Sequence, residues 1–188
     1  MANLTKVQKI AEYHAHEYAE IQIYQNEQLT DLLNYRVQSI EGDNILLLNQ
    51  FIARGFPRVL LISFFSEWCP NCQHEALVID RINEKFVKED FEVIVIVEYS
   101  DSKKWEDFIT NKLDSQLTYF FGEMLEKNEK KRFLTNHHMI KTLVNDKRKW
   151  GVPLHFMIIG GRLNKVCCVK GEFEKLELET FLIKKLNI

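Results

Sequence analysis

Two nearly continuous apolar runs, residues 58–65 (Arg-Val-Leu-Leu-Ile-Ser-Phe-Phe) and 91–97 (Phe-Glu-Val-Ile-Val-Ile-Val), dominate the hydrophobic pattern of the chain. Runs of this length without polar alternation fit strands buried on both faces of a sheet. Between them Val78, Ile79, Ile82 and Phe86 recur at helical spacing. Strand, helix, strand in that order is a βαβ unit, whose right-handed crossover makes the two strands parallel. A third apolar run, residues 154–159, follows Gly151-Val152-Pro153 and turns at Gly160-Gly161 into residues 163–169, the pattern of an antiparallel hairpin. Gly171 closes that strand, and Phe181, Leu182 and Leu186 mark a final helix.

Upstream of this core the pattern changes. Leu4, Val7, Ala11, His14, Tyr18 and Ile21 recur at three- and four-residue intervals, which predicts an appended helix over residues 3–33 that packs on the main domain or meets a partner. Residues 35–51 read as a strand pair: Val37 and Ile40 lead into the turn-rich Glu41-Gly42-Asp43-Asn44, and Ile45 to Leu48 follow. Residues 102–149 are the least legible stretch. Helices are expected over 103–113 and 133–144, with the charge run 126–132 as a solvated face or loop between them.

Composition narrows the picture only a little. The 188 residues, 46% hydrophobic, suit one domain with an appendage and are short for two. A net charge of −2 gives no reason to expect a nucleic acid or an anionic membrane as partner. The longest apolar runs are too short to span a bilayer. The first nine residues lack the apolar core of a signal peptide, which leaves open a cytoplasmic protein or a chain whose leader or anchor was removed. Four cysteines are too few for a disulfide-stapled scaffold: two form Cys69-Pro70-Asn71-Cys72 and two are adjacent, Cys167-Cys168. No second C-x-x-C or H-x₃₋₅-H accompanies the first, so no structural zinc site and no other metal or organic cofactor is expected.

The C-x-x-C carries the chemistry. Its position between a buried strand and an amphipathic helix puts Cys69 at a helix start, where free backbone N–H groups and the positive end of the helix stabilise a thiolate. Cys72, one turn on, lies within reach of a mixed disulfide formed at Cys69. Pro70 occupies the first turn, where its missing N–H costs nothing.

The segment Phe64-Phe65-Ser66-Glu67-Trp68-Cys69-Pro70-Asn71-Cys72 resembles the active-site segment of the thioredoxin superfamily. The closer similarity is to its redoxin branch, the TlpA/ResA-like thiol–disulfide oxidoreductases. The strand pair with the Glu41-Gly42-Asp43-Asn44 turn, the extended pattern Cys-Pro-x-Cys-x-x-Glu ending at Glu75, and the long segment before Val152-Pro153 carry that likeness. It covers residues 35–188, which makes 1–34 an N-terminal helical extension on a thioredoxin-like α/β domain. The fold implied is a central mixed sheet flanked by helices. The resemblance implies that Cys69 attacks, Cys72 resolves and Glu75 handles protons. It also implies that Pro153 is a cis-proline beside the pair, that Val152 offers its backbone to an extended substrate, and that Trp68 covers the site. By the same likeness the partners are a protein disulfide or dithiol and an upstream electron donor or acceptor, the preferred direction is reduction, and the compartment is extracytoplasmic.

The chain also departs from the family pattern. Classical thioredoxins bear a buried Asp in the strand before the motif, where this chain has Ser63; proton transfer would then rely on Glu75 or water. Glu75 also has a plain reading as an exposed helix carboxylate. Cys167 and Cys168 point to opposite faces of a strand and are expected as a buried filler and an incidental neighbour rather than a second redox centre. His137-His138 reads as a surface pair on a helix, His14 as a packed helix residue, His155 as an electrostatic neighbour of the site, and Trp105 and Trp150 as packing residues. Two other functions share these features. A thiol peroxidase would use the Ser66-Glu67-Trp68-Cys69 context, and a binding or adaptor module would keep the fold without turnover.

Overall fold

A computed structural model describes residues 15–25, 27–86, 88–113 and 117–188. Among these residues eight strands form one mixed sheet in the order β1-β8-β7-β4-β5-β6-β2-β3. The strands are β1 (Gln22–Tyr24), β2 (Arg36–Gln38), β3 (Asn44–Leu46), β4 (Val59–Phe65), β5 (Phe91–Val97), β6 (Thr118–Phe121), β7 (Leu154–Ile159) and β8 (Val166–Val169). The helices are α1 (Glu27–Leu33), α2 (Asn49–Arg54), α3 (Pro70–Phe86), α4 (Ser102–Lys112), α5 (Asn136–Leu143) and α6 (Lys175–Leu186), with a 3₁₀ turn at Arg132–Leu134.

The centre of the sheet follows the pattern of apolar runs. All seven residues of β4 are buried. β4 pairs in parallel with β5, from Val59 opposite Phe91 to Phe65 opposite Val97, and antiparallel with β7, Ser63 facing His155. The α3 helix turns Cys72, Glu75, Ala76, Ile79, Ile82 and Phe86 inward, a three- and four-residue stripe against the sheet. Trp105, from α4, is buried against Phe65 and Tyr119, while Trp150 is half-buried beside Trp68 and Tyr99.

The expected strand pair is present as β2 and β3, joined through the Glu41–Asn44 turn, and it attaches to the sheet through β6. β6 has no counterpart in the sequence reading. It is a four-residue aromatic strand too short to show a period, and its place is set by parallel pairing with β5. Gly122 follows it, where a Cβ would clash with the buried Glu98 carboxylate.

The N-terminal helix expected over 3–33 is corrected. Residues 3–14 lie outside the described residues. Residues 15–25 are extended, and only Glu27–Leu33 is helical. β1 pairs antiparallel with β8, Ile23 opposite Cys167, so an otherwise free sheet edge takes up backbone that the helical spacing had assigned elsewhere. The pair His137-His138 is also corrected. His137 is fully buried, its Nδ1 2.9 Å from the Tyr99 hydroxyl, and burial pushes its pKa down to about 3. Both Cys167 and Cys168 are buried free thiols, and burial raises the pKa of each.

Candidate active site

The loop between β4 and α3 is held before the cysteines are reached. Ser66 Oγ donates to the Glu98 carbonyl at 2.6 Å, and the Glu67 N–H donates to Ser100 Oγ at 2.9 Å. Trp68 Nε1 donates to the Tyr99 carbonyl at 2.8 Å. These bonds tie the loop to the chain leaving β5, and α3 starts at Pro70 immediately after Cys69. The Cys72 N–H donates to Cys69 Sγ at 3.3 Å, as a helix N-terminus does to an anion.

The two thiols are electrically unlike. Cys69 retains 7% of its surface and Cys72 1%, so Cys69 is the less enclosed of the two. Hydrogen bonding from the Cys72 thiol pulls the Cys69 pKa down, against the opposing effect of burial; backbone N–H groups of Cys72 and Asn71 and the charge of Arg148 add to the lowering. Burial holds the Cys72 thiol well above its ordinary range. Cys69 Sγ also lies 3.7 Å from the Val152 carbonyl, and the Val152–Pro153 peptide is cis. The expected cis-proline and the backbone edge of Val152 are therefore both beside Cys69.

A cleft of about 210 Å³ opens at Cys69, lined by Trp68, Asn71, Arg148, Trp150, Val152 and, from the N-terminal segment, Glu17 among others. Trp68 and Trp150 meet edge to face at 5.3 Å, and Lys127 Nζ sits 3.6 Å over the Trp68 ring. Arg148 was not foreseen, because residues 102–149 gave no pattern from which to single it out. Its guanidinium forks onto Asp146, with Nη2 to Oδ2 at 2.7 Å, and Nη2 also donates to the Pro153 carbonyl at 2.8 Å. This fixes a cation beside the cleft. Arg148→Met should raise the Cys69 pKa and slow its alkylation by iodoacetamide at neutral pH roughly two- to fivefold. Arg148→Lys should recover most of that rate. Identical alkylation pH profiles for the wild type and Arg148→Met would rule out the electrostatic role.

A buried polar line includes Ser63, which stands where thioredoxins carry the buried Asp. Ser63 Oγ is 2.9 Å from His155 Nδ1, and His155 Nε2 is 3.7 Å from Glu75 Oε1. All three side chains are fully buried, so the exposed reading of Glu75 is excluded. Glu75 Oε1 accepts the Phe173 N–H at 3.1 Å. Burial pushes Glu75 up to about 8, with Glu172 adding to the rise and the Phe173 N–H opposing it. Burial pushes His155 down to about 3. At neutral pH the imidazole is therefore neutral and Glu75 mostly protonated, and the close pair is not an ion pair. His155, expected only as an electrostatic neighbour, is a member of this line.

A cleft beside an N-terminal helical cysteine, a buried partner thiol and a cis-proline, on a thioredoxin-like sheet, defines the class to which the chain is similar. The redoxin family model matches residues 54–131, the stretch from the end of α2 past β6 that contains the C-x-x-C. No curated protein sequence matches the chain. Among solved structures, a secreted Mycobacterium tuberculosis disulfide oxidoreductase homologous to E. coli DsbE superposes with a TM-score of 0.56 at 13% identity, covering 82% of this chain and 98% of that one. A thiol:disulfide interchange protein of the thioredoxin family from Chlorobium tepidum gives 0.56 at 12% identity, covering 92% and 98%. A thioredoxin-like protein from Aeropyrum pernix gives 0.56 at 15%, covering 84% and 93%. The resemblance to the redoxin branch of the thioredoxin superfamily is thus borne out: residues 54–131 are redoxin-like and the fold around them is thioredoxin-like.

Proposed function

We propose that the chain is a thiol–disulfide oxidoreductase that reduces protein disulfides through Cys69 and Cys72. The observation that carries this reading is the asymmetry of the pair: a cleft-lining thiol of lowered pKa at a helix N-terminus, next to a more deeply buried thiol of raised pKa. The Cys69 thiolate attacks a substrate disulfide, one substrate sulfur leaves as a thiolate, and a Cys69 mixed disulfide forms. Cys72 then gives up its proton and attacks Cys69 Sγ, releasing the second substrate sulfur and leaving the Cys69–Cys72 disulfide. Neutralising Cys69 in the mixed disulfide removes its repulsion of a Cys72 thiolate. Glu75, one helical turn beyond Cys72 and held near 8 by burial, is the buried group suited to take that proton in its ionised fraction, so this step should quicken as pH rises toward 8; Ser63 and His155 line up behind it.

The cleft suits an extended peptide, with Val152 offering its backbone, Trp68 lining it, and Pro70 and Pro153 each following a lining residue in the chain. The substrate is accordingly a protein disulfide, and an upstream dithiol protein re-reduces the pair; no organic cofactor takes part. An extracytoplasmic setting is supported by the secreted Mycobacterium tuberculosis neighbour. Among the described residues no helix is long and apolar enough to cross a membrane. Equilibration of the pair in dithiothreitol or glutathione buffers tests the direction. A potential near or below roughly −250 mV is expected of a reductase, whereas roughly −120 to −180 mV would reverse the assignment to an oxidant or isomerase.

A further inference from the structure

Behind the thiol cleft, three side chains from distant parts of the sequence converge on one point. His16 comes from the extended N-terminal segment, His74 from α3, and Glu172 from the turn between β8 and α6. His16 Nδ1 lies 2.9 Å and His74 Nδ1 2.8 Å from the same oxygen, Glu172 Oε1. The three donor atoms all fall within 4.8 Å of one another, and the imidazole rings are 4.5 Å apart and tilted by 57°.

The carboxylate is built into place. The Glu172 side chain is fully buried, and its second oxygen accepts the Glu17 N–H at 2.8 Å. Its backbone N–H donates to the Glu17 carbonyl at 2.8 Å, and its carbonyl accepts the Ala19 N–H at 3.0 Å. The N-terminal segment lies so close here that a Cβ on Gly171 would fall 2.1 Å from the Glu17 carbonyl oxygen, a place only glycine can occupy. The imidazoles are more than a quarter exposed, which leaves a route from solvent to the point of convergence.

We propose that His16, His74 and Glu172 form a binding site for a zinc-class divalent cation, with water completing the coordination. Two ligands held tetrahedrally at ~2.0–2.1 Å from one ion are ~3.4 Å apart, so the 2.9 and 2.8 Å imidazole–carboxylate spacings need to open by only about half an ångström to admit it. Two nitrogens and one carboxylate oxygen select zinc, cobalt, nickel or copper over magnesium or calcium, which take oxygen ligands. The Glu17 N–H bond to the second carboxylate oxygen is the supporting contact that orients a metal-binding carboxylate. Bound there, the ion fastens the N-terminal segment, which lines the cleft through Glu17, to the helix that carries the thiols.

The test uses the whole chain, stripped with chelator and then oxidised so that Cys69 and Cys72 cannot act as ligands. Calorimetric titration with zinc chloride should show one site per chain of micromolar affinity or tighter. His16→Ala and His74→Ala should each weaken it roughly 100-fold. His16 is exposed, so His16→Ala leaves the fold intact and keeps the comparison valid. Cobalt should give a visible spectrum without thiolate charge transfer. Absence of saturable binding, or binding that survives both histidine substitutions, would overturn the site. Neither result bears on the thiol chemistry, which is measured without metal.

Discussion

Cys69→Ser should abolish reduction of a protein disulfide, by about a thousandfold or more, while Cys72→Ser should convert the protein into a trap that stays covalently joined to its substrate. The two outcomes are expected to differ because the two thiols stand in different surroundings. Cys69 meets the cleft and is stabilised as a thiolate by the Cys72 thiol and by backbone N–H groups at the start of α3. Cys72 is sealed beneath it. Without Cys69 no mixed disulfide forms. Without Cys72 the mixed disulfide forms and nothing on the protein can displace it. Nonreducing electrophoresis should show slower bands with Cys72→Ser that dithiothreitol removes, and none with Cys69→Ser. Equal trapping by both single variants would contradict the order of attack. No trapping, together with no turnover by the wild type, would favour a binding module that keeps the fold alone.

Stability should fall as pH rises from about 7 to about 9, above the range in which His137 and His155, held neutral by burial, offset the fall, and Glu98→Gln should remove much of that slope. Glu98 is fully buried at the end of β5, where Oε1 accepts the Tyr35 hydroxyl at 2.9 Å and the Glu123 N–H at 3.3 Å. Burial pushes its pKa from 4.5 to about 8 despite those bonds. The folded pKa is therefore the higher of the two. Below about 4.5 both states hold the proton and the full stability is present. Between 4.5 and 8 the unfolded chain releases the proton while the folded chain keeps it, so unfolding becomes steadily easier. Above 8 the loss is complete. At ~1.4 kcal/mol per pKa unit this one group can account for roughly 3–5 kcal/mol. Glu75 contributes a slope of the same sign, so the difference between wild type and variant isolates Glu98. Urea unfolding at pH 5, 7 and 9 should show Glu98→Gln no more stable than the wild type at pH 5 and more stable at pH 9. Parallel curves would mean that Glu98 is ionised at no unusual pH.

The cysteine roles follow from local order along the chain, a buried strand, then Cys-Pro-Asn-Cys, then an amphipathic helix, and each part is legible one residue after another. The same holds for β5, whose bounds at Phe91–Val97 are those of its apolar run, and for β7 at Leu154–Ile159. Glu98 was invisible to such a reading. It stands next to an apolar run like any strand-ending carboxylate, and only the approach of Tyr35, sixty-three positions away, encloses it.

What the sequence determined by itself is the βαβ core, the hairpin after Val152-Pro153 and the placement of the thiol pair. Long apolar runs and helical spacing are properties of neighbouring residues, and burial on a sheet or along one helix face rewards them directly. What the tertiary structure alone decided is everything assembled across the chain. Gln22–Tyr24 became a strand because the β8 edge offered backbone partners, a gain that the three- and four-residue spacing could not register. Arg148 reached the cleft because Asp146 and the Pro153 carbonyl hold its guanidinium there. Ser63, His155 and Glu75 form one buried line because adjacent strands and a helix bring them within a few ångströms. His16, His74 and Glu172 likewise share a point in space and no pattern in the chain, because a carboxylate buried at the end of β8 draws in both the N-terminal segment and the helix that carries the thiols.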